Sequence, residues 1–285
     1  MTKMVYINGE YHEKEDAKIS IFDRGFIFGD GVYEVVPVIN SRMADQQYFL
    51  DRLKRSLNEL QINFCVLDDD LISILNKLIE LNQLAEGVVY LQITRGIADR
   101  DFIFPVDTPP SIVAFVMNIP IIDTKESAEG ISVVSTTDLR WKRRDIKSIN
   151  LLGQCLAKQD AHSRNAKEGW MVEDGYVTEG VSSSAYIVKD RRVITRPLSN
   201  KILPGVRRRT LLEMRSDKEF EIEERLFTLQ EAILADEAFI TSATQIVVPV
   251  IRLDGQQIGN GAPGVITKKL RQIYINKLMQ ETSDE

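Results

Sequence analysis

Apolar residues recur along this 285-residue chain with two different periods, and the changes between them divide it into elements. Val5-Tyr6-Ile7 ahead of Asn8-Gly9-Glu10 predicts a strand entering a hairpin with an Asn-Gly turn. Phe49, Leu50, Leu53, Leu57 and Leu60 fall on one stripe of a 3.6-residue period, which predicts a helix over 46–61 with Arg52 at the edge of the stripe. A second helix is predicted over 68–85. The β-branched and aromatic runs Val32 to Val36, Val88 to Thr94 and Ser111 to Met117 predict strands. Asp23 to Gly31 contains three glycines in nine residues and reads as a loop rather than a helix.

Residues 119–130 contain Pro120 and the polar run Asp123 to Ser127, the best place for a linker. This predicts an N-terminal α/β domain over 1–118 and a larger C-terminal domain over 131–285. In the second part, strands are predicted at Ile131 to Ser135, near 170–172, 186–188 and 193–195, at Glu237 to Thr241 and at Val247 to Leu253. Helices are predicted over 151–165, 205–215 and 228–235, with a terminal helix starting near Gly264. The fold class is α/β (mixed α+β), simplest as two mixed domains meeting at a cleft.

Composition narrows the chemistry. Hydrophobic residues make up 44% and charged residues 27%, as in a globular rather than a disordered chain. A net charge of −6 argues against nucleic-acid partners. No apolar run suggests a membrane span or a signal segment, so a cytoplasmic location is expected. With only Cys65 and Cys155, neither a disulfide framework nor a thiolate metal site is indicated, and no metal is expected. His12, in a turn-like stretch, and His162, in a predicted helix, read as surface residues. An enzyme built from this chain would move protons with Lys, Glu, Asp, Tyr or a cofactor.

Two residues stand out against that background. Lys147 lies in Arg143-Arg144-Asp145-Ile146-Lys147-Ser148-Ile149-Asn150. It can be read as an ordinary lysine near a helix start. Burial beside a cleft, next to Arg140, Lys142, Arg143 and Arg144, would instead make it an amine nucleophile able to join an aldehyde cofactor. Glu179, in the glycine- and serine-rich turn from Val177 to Ser184, can be read as a turn cap. Facing a heteroaromatic nitrogen, it would hold that nitrogen protonated. Leu203-Pro204-Gly205-Val206-Arg207 opens a helix and offers a phosphate seat, and Ser242-Ala243-Thr244 offers further donors. Neither stretch is a Walker A loop or a dinucleotide fingerprint. Together they make a pyridoxal 5'-phosphate site coherent.

Four stretches carry a resemblance. They are Asp23-Arg24-Gly25 with Phe28 to Val36, Gln92 to Gly96, Arg140-Trp141 through Asp145 to Gly153, and Thr178-Glu179-Gly180. The chain resembles the fold-type IV pyridoxal-phosphate aminotransferases, most nearly the bacterial D-amino-acid enzymes, from Tyr6 to the terminal helix. The resemblance implies a small N-terminal α/β domain and a larger C-terminal pseudo-barrel domain. It implies Lys147 as the Schiff-base lysine and proton shuttle, Glu179 as partner of the pyridine nitrogen and Arg52 as a phosphate ligand. Gly205, Val206, Arg207, Ser242, Ala243 and Thr244 would complete the phosphate cup. Tyr33 and Arg100 match the residues that receive the substrate α-carboxylate, and Tyr90 a tyrosine on the substrate side. A homodimer in which the partner subunit completes the carboxylate trap is also implied.

The chain departs from that pattern in places. Phe102 stands where a histidine is usual, Val181 where a serine is, and Pro37 where a lysine is common. Arg207 and Ala243 replace threonines. Phe102 and Val181 make the pocket more apolar, which suits hydrophobic D-amino acids or (R)-amines. The expected reaction is transamination of D-amino acids, such as D-alanine or D-glutamate, with pyruvate or 2-oxoglutarate as acceptor. The alternatives are an (R)-selective amine transaminase, a branched-chain aminotransferase, an aminodeoxychorismate lyase and, from another class, a non-enzymatic interaction protein.

Overall fold

The computed structural model describes residues 3–213 and 220–283. The chain forms two compact units. The first comprises Met1–Pro120, Ile146–Asn150 and Leu278–Glu285, and the second comprises Ile121–Asp145 and Leu151–Lys277.

The first unit carries β1 (Met4–Ile7), β2 (Glu10–Glu13), α1 (Arg24–Phe28), β3 (Gly31–Ile39), β4 (Arg42–Met43), α2 (Gln46–Glu59), α3 (Asp68–Leu81), β5 (Gly87–Thr94) and β6 (Ser111–Met117). Its antiparallel sheet has the order β2-β1-β6-β5-β3-β4. The Asn8-Gly9 hairpin forms as expected, with φ of 47° and 109° at the two turn residues. Alternation along β3 separates two faces. Val32, Val36 and Val38 join Phe49, Leu53 and Leu57 of α2 and Leu71, Leu75 and Leu78 of α3 in one core. Each such fully buried side chain contributes about 1.5–3 kcal/mol. Tyr33 lies on the opposite face of the strand.

The loop expected over 23–31 is corrected by the structure, which holds the one-and-a-half-turn helix α1 there. Asp23 caps its N-terminus by accepting from the Gly25 amide, and Gly29 ends it in the left-handed conformation at φ 66°. Both ends are satisfied by local chemistry, so a segment of low helix propensity still closes a turn.

The second unit carries α4 (Lys125–Glu129), β7 (Ile131–Thr137), α5 (Leu152–Ser163), β8 (Glu168–Glu173), β9 (Tyr176–Gly180), β10 (Ser184–Lys189), β11 (Arg192–Thr195), α6 (Val206–Glu213), β12 (Glu221–Glu224), α7 (Leu229–Ile233), β13 (Glu237–Ser242), β14 (Gln245–Leu253), β15 (Gln256–Gln257) and the main part of α8 (Val265–Glu281). Its sheet runs β12-β11-β10-β13-β14-β7-β8-β9, with β15 beside β14. β9, at one end of that path, comes back into contact with β10. Trp170, Val177, Ile187, Phe227, Ile240 and Val248 pack in its core. The last two residues of the helix expected over 205–215 lie outside the described residues. α4 occupies part of the expected linker, capped by the Thr124 hydroxyl.

Candidate active site

Lys147 is placed by backbone pairing within the first unit. Residues 146–150 lie along the edge of β3: the Tyr33 amide donates to the Lys147 carbonyl at 3.0 Å, and the Ile149 amide to the Gly31 carbonyl at 3.1 Å. The Lys147 amide in turn donates to the buried Ser56 hydroxyl of α2 at 3.2 Å. The Lys147 amine is thereby set over the Tyr33 ring, 3.9 Å from its centroid. The rings of Tyr33 and Tyr90 stack at 5.6 Å, and those of Tyr90 and Phe115 at 4.7 Å. Burial, with Tyr33 adding, raises the Tyr90 hydroxyl well above its ordinary pKa, so it stays a donor to Gln92 Oε1 at 2.9 Å. Arg52 is buried and grips Glu34 with two bonds of 2.9 and 2.6 Å on the helix-covered face. Arg52 and Ser56 lie one turn apart on α2, so one helix carries both the arginine and the acceptor for the Lys147 backbone.

Arg100 and Phe102 sit on the exposed loop between β5 and β6. The Arg100 guanidinium lies 5.5 and 5.4 Å from the ring centroids of Phe28 and Phe102, which are themselves 5.6 Å apart. Arg24 ties this loop to α1 by donating to the Asp101 carbonyl at 2.6 Å and to Asp30 at 2.7 Å.

In the second unit four separate segments converge. Glu179 is buried and accepts from Arg140 Nη1 at 2.5 Å and from the Leu203 amide at 3.2 and 3.1 Å. Burial pushes its carboxyl above the usual range, while the charge and hydrogen bond of Arg140 and the Leu203 amide pull it back. A side chain at Gly205 would meet Ser184 Oγ at 2.9 Å, so the segment ahead of α6 packs closely on the start of β10. Arg207, fully enclosed, donates to the Ser242 and Ala243 carbonyls at 2.5 and 2.7 Å and packs over the Tyr274 ring. Ser242 and Thr244 bring their hydroxyls within 3.2 Å of each other. Buried Val247, just beyond this turn, takes a φ of 33°, a costly conformation for a β-branched residue. Val181 packs with Ala157 and Met171.

The structure corrects two expectations here. Glu179 belongs to strand β9 rather than to a turn, and β9 as a whole was not foreseen. The cationic run is also matched by carboxylates: Arg140 by Asp138 and Glu179, Arg144 by Asp138 and Glu173, and Arg143 by Asp145. The charges of Arg140, Arg143 and Arg144 are therefore balanced within the second unit rather than left bare beside Lys147.

Hydrogen bonds from Arg144 and Lys201 hold the Glu173 carboxyl down at about 2. The unfolded value lies near ~4.3, so the folded pKa is depressed. The stabilisation is present above that value and lost as pH falls toward about 2. An acid titration of unfolding free energy should show this slope, and Glu173→Gln should flatten it modestly, because the carboxylate keeps some solvent contact. An unchanged slope in the variant would remove Glu173 as its source.

The profile of the family described as amino-transferase class IV matches residues 31–253. The chain belongs to the class IV aminotransferases. A D-alanine aminotransferase of Bacillus licheniformis is 38% identical over 279 residues, covering 98% of each chain. One of Staphylococcus haemolyticus is 36% identical over 286 residues, covering 99% of this chain and 100% of that one. In fold, the aminotransferase is similar to the Escherichia coli branched-chain amino acid aminotransferase, with a TM-score of 0.91 at 23% identity over 100% of this chain and 97% of that one. The fold is thus the mixed α/β fold of these enzymes. The interaction-protein alternative falls away.

Class IV aminotransferases use pyridoxal 5'-phosphate, and this chain is one of them. The donor set suits that group. The Ser183 hydroxyl is buried without a protein partner, Gly205 precedes the start of an eight-residue helix, and Glu179 holds a buried carboxyl group. Among the described residues no helix is long and apolar enough to cross a membrane, and no cluster of three or more His, Cys, Asp or Glu could hold a metal ion.

Of the residues expected from the sequence, the first unit brings together Lys147, Tyr33 and Tyr90, and separately Arg100 and Phe102. The second brings together Glu179, Gly205, Val206, Arg207, Ser242, Ala243 and Thr244. Sequence reading missed Ser56, Glu34, Phe28, Asp138 and the pairing role of Arg140. Only the Asp138-x-Arg140 spacing could have signalled any of them, as a local acid and base two residues apart.

Proposed function

We propose that this aminotransferase moves the amino group of D-amino acids, such as D-alanine or D-glutamate, to a 2-oxo acid such as pyruvate or 2-oxoglutarate. The observation that carries the reading is the 36–38% identity, along essentially the whole chain, to proteins named D-alanine aminotransferase. The bound cofactor supplies an electron sink for the charge left on Cα when its proton departs. Lys147 would hold the cofactor through its amine, and the same amine would take the Cα proton and return it on the other side of the exchange. The Tyr33 ring 3.9 Å away fixes where that amine stands. Glu179 keeps the pyridine nitrogen protonated. Arg52, oriented by Glu34, and the Gly205-Val206 and Ser242-Ala243-Thr244 segments serve the phosphate, while Arg207 braces the latter by its carbonyls.

Tyr33 and Arg100 orient the substrate carboxylate, and Tyr90, Phe102 and Val181 bound its side chain. A homodimer belongs to the same reading. Ile21, Phe26, Phe102, Ile103 and Val106 of the first unit are 68%, 76%, 77%, 76% and 85% exposed, apolar side chains that a second copy could cover. Arg100 stands beside this surface, where a second copy would bring it to use. Sedimentation at single-chain mass would sink the dimer. Exposed, unbridged Cys65 and Cys155 suit the reducing cytoplasm. Recovery of the protein with a secreted or periplasmic fraction would overturn that location.

The test is a half-reaction screen of the cofactor-loaded enzyme with D- and L-amino acids. D-alanine or D-glutamate should discharge its visible spectrum, and preference for L-leucine would overturn the assignment. Arg100→Ala should raise KM for D-alanine by about 10- to 100-fold, the loss of one charge-assisted carboxylate contact, while leaving simple amines nearly unaffected. Equal effects on both would place the carboxylate contact elsewhere. A second reading, an (R)-selective amine transaminase, is favoured by the Phe28–Phe102 pair, which puts aromatic surface beside Arg100. Faster turnover of (R)-1-phenylethylamine than of D-alanine would decide for it.

A further inference from the structure

Arg140 lies outside the cofactor and substrate residues assigned above, yet it makes the shortest contact to Glu179. Its Nη1 donates to Glu179 Oε1 at 2.5 Å, while Nε and Nη2 hold both oxygens of Asp138 at 2.9 and 2.7 Å. All three side chains are buried, at 5%, 7% and 0% exposure in the order Arg140, Glu179, Asp138. Asp138 is in turn tied to the strand that carries Glu179: the hydroxyl of Thr178, the preceding residue, donates to Asp138 Oδ2 at 2.7 Å. Arg144 Nη1 stands 3.2 Å from the same oxygen and passes the network outward to Glu173 and Lys201.

We propose that Arg140 is a positioning residue of the transamination reaction, keeping the Glu179 carboxylate ionised and fixed in orientation through a guanidinium shared with Asp138. The proposal rests on the reading that Glu179 partners the pyridine nitrogen. Taking a carboxylate out of water favours its protonated form. A neutral Glu179 could not hold a pyridinium by a charge-assisted bond. The groups that face Glu179 are few. Arg140 and the Leu203 amide favour its charge, the Asp138 carboxylate opposes it, and the buried Tyr186 hydroxyl is raised by burial with a smaller contribution from Glu179.

Asp138 alone would therefore work against Glu179. Burial would push Asp138 up as well, but hydrogen bonds from Arg140 and Thr178 and the Arg144 charge hold it below the usual carboxylate range. Two guanidiniums stand among the two buried acids: both hold Asp138 below the usual range, and Arg140 offsets part of the rise that burial imposes on Glu179. The planar fork of arginine holds both oxygens of Asp138 and still reaches Glu179, a fixed geometry that the point charge of a lysine ammonium does not impose. α5 presses on this arrangement: a side chain at Gly153 would lie 3.1 Å from Arg140 Cγ.

The test compares the loaded wild-type enzyme with Arg140→Met, Arg140→Lys and Glu179→Gln. In Arg140→Met, the acid limb of the kcat profile should move up by at least about one pH unit, the scale on which one lost neighbouring charge acts. At neutral pH its infrared spectrum should gain a protonated-carboxyl band that wild type lacks and that the double variant Arg140→Met, Glu179→Gln loses. A merely structural role for Arg140 would move thermal stability without that band. Arg140→Lys should shift the acid limb in the same direction by less, and it decides the matter if Arg140→Met does not fold. A folded Arg140 variant with the wild-type acid limb and no new band, while Glu179→Gln is impaired, would overturn the proposal. Wild-type turnover by Glu179→Gln would instead overturn the reading of Glu179 on which it rests.

Discussion

Lys147→Ala should lower kcat by about 10⁴-fold or more, because the substitution removes both the covalent anchor and the acid-base group. Neither histidine is placed on the Lys147 strand edge to take over the proton. The only histidines are His12 on β2 and exposed His162 on α5. The loss should be local, since the segment is held by its backbone: the Lys147 carbonyl accepts from Tyr33 and its amide donates to Ser56. Neither bond involves the side chain, so the variant should fold with nearly unchanged stability. Borohydride reduction of the loaded enzyme, which fixes a lysine-bound cofactor, should label Lys147 in the wild type and no lysine in the variant. Full turnover by the variant, or a label on another lysine, would end the assignment.

Glu179→Gln should lower kcat on the order of 10²-fold, since a charge-assisted hydrogen bond is worth about 1.5–3 kcal/mol. Glutamine preserves the shape and can still accept from the Leu203 amide. It cannot carry the negative charge that a protonated pyridine requires. Arg140 retains Asp138 as a partner, so the buried guanidinium is not stranded and the fold should survive. Thermal melting and steady-state rates on the same preparation separate the two effects. A kcat within two-fold of wild type would show that another group serves the ring nitrogen.

Legibility from sequence followed the range of the interactions. The α2 stripe and the strands β5 and β6 were readable because their signals are periodic and local. α1 was missed because its stability comes from an Asp23 cap and a left-handed Gly29 rather than from propensity. β9 was missed because it is short and ends in the glycine and serines that otherwise signal a turn. The run Arg140 to Arg144 read as a bare cationic neighbour of Lys147 because two of its counter-charges, Glu173 and Glu179, lie about 30 to 40 residues further along the chain. Burial then turned a cationic patch into a balanced network.

The amino-acid sequence by itself determined the mixed α/β class and the family, and it singled out Lys147 and Glu179 as the candidate amine and acid, since these rest on local periodicity and on motifs contiguous in the chain. Only the tertiary structure decided what those residues touch. It laid residues 146–150 against the edge of β3 and set the Lys147 amine over Tyr33. It turned Arg207 to the carbonyls of the Ser242 turn and Arg52 to Glu34, and it gave Glu179 a guanidinium held by a second acid. The physical reason is that the state of a buried charge depends on neighbours brought together by folding, and their positions are not written in spacing along the chain.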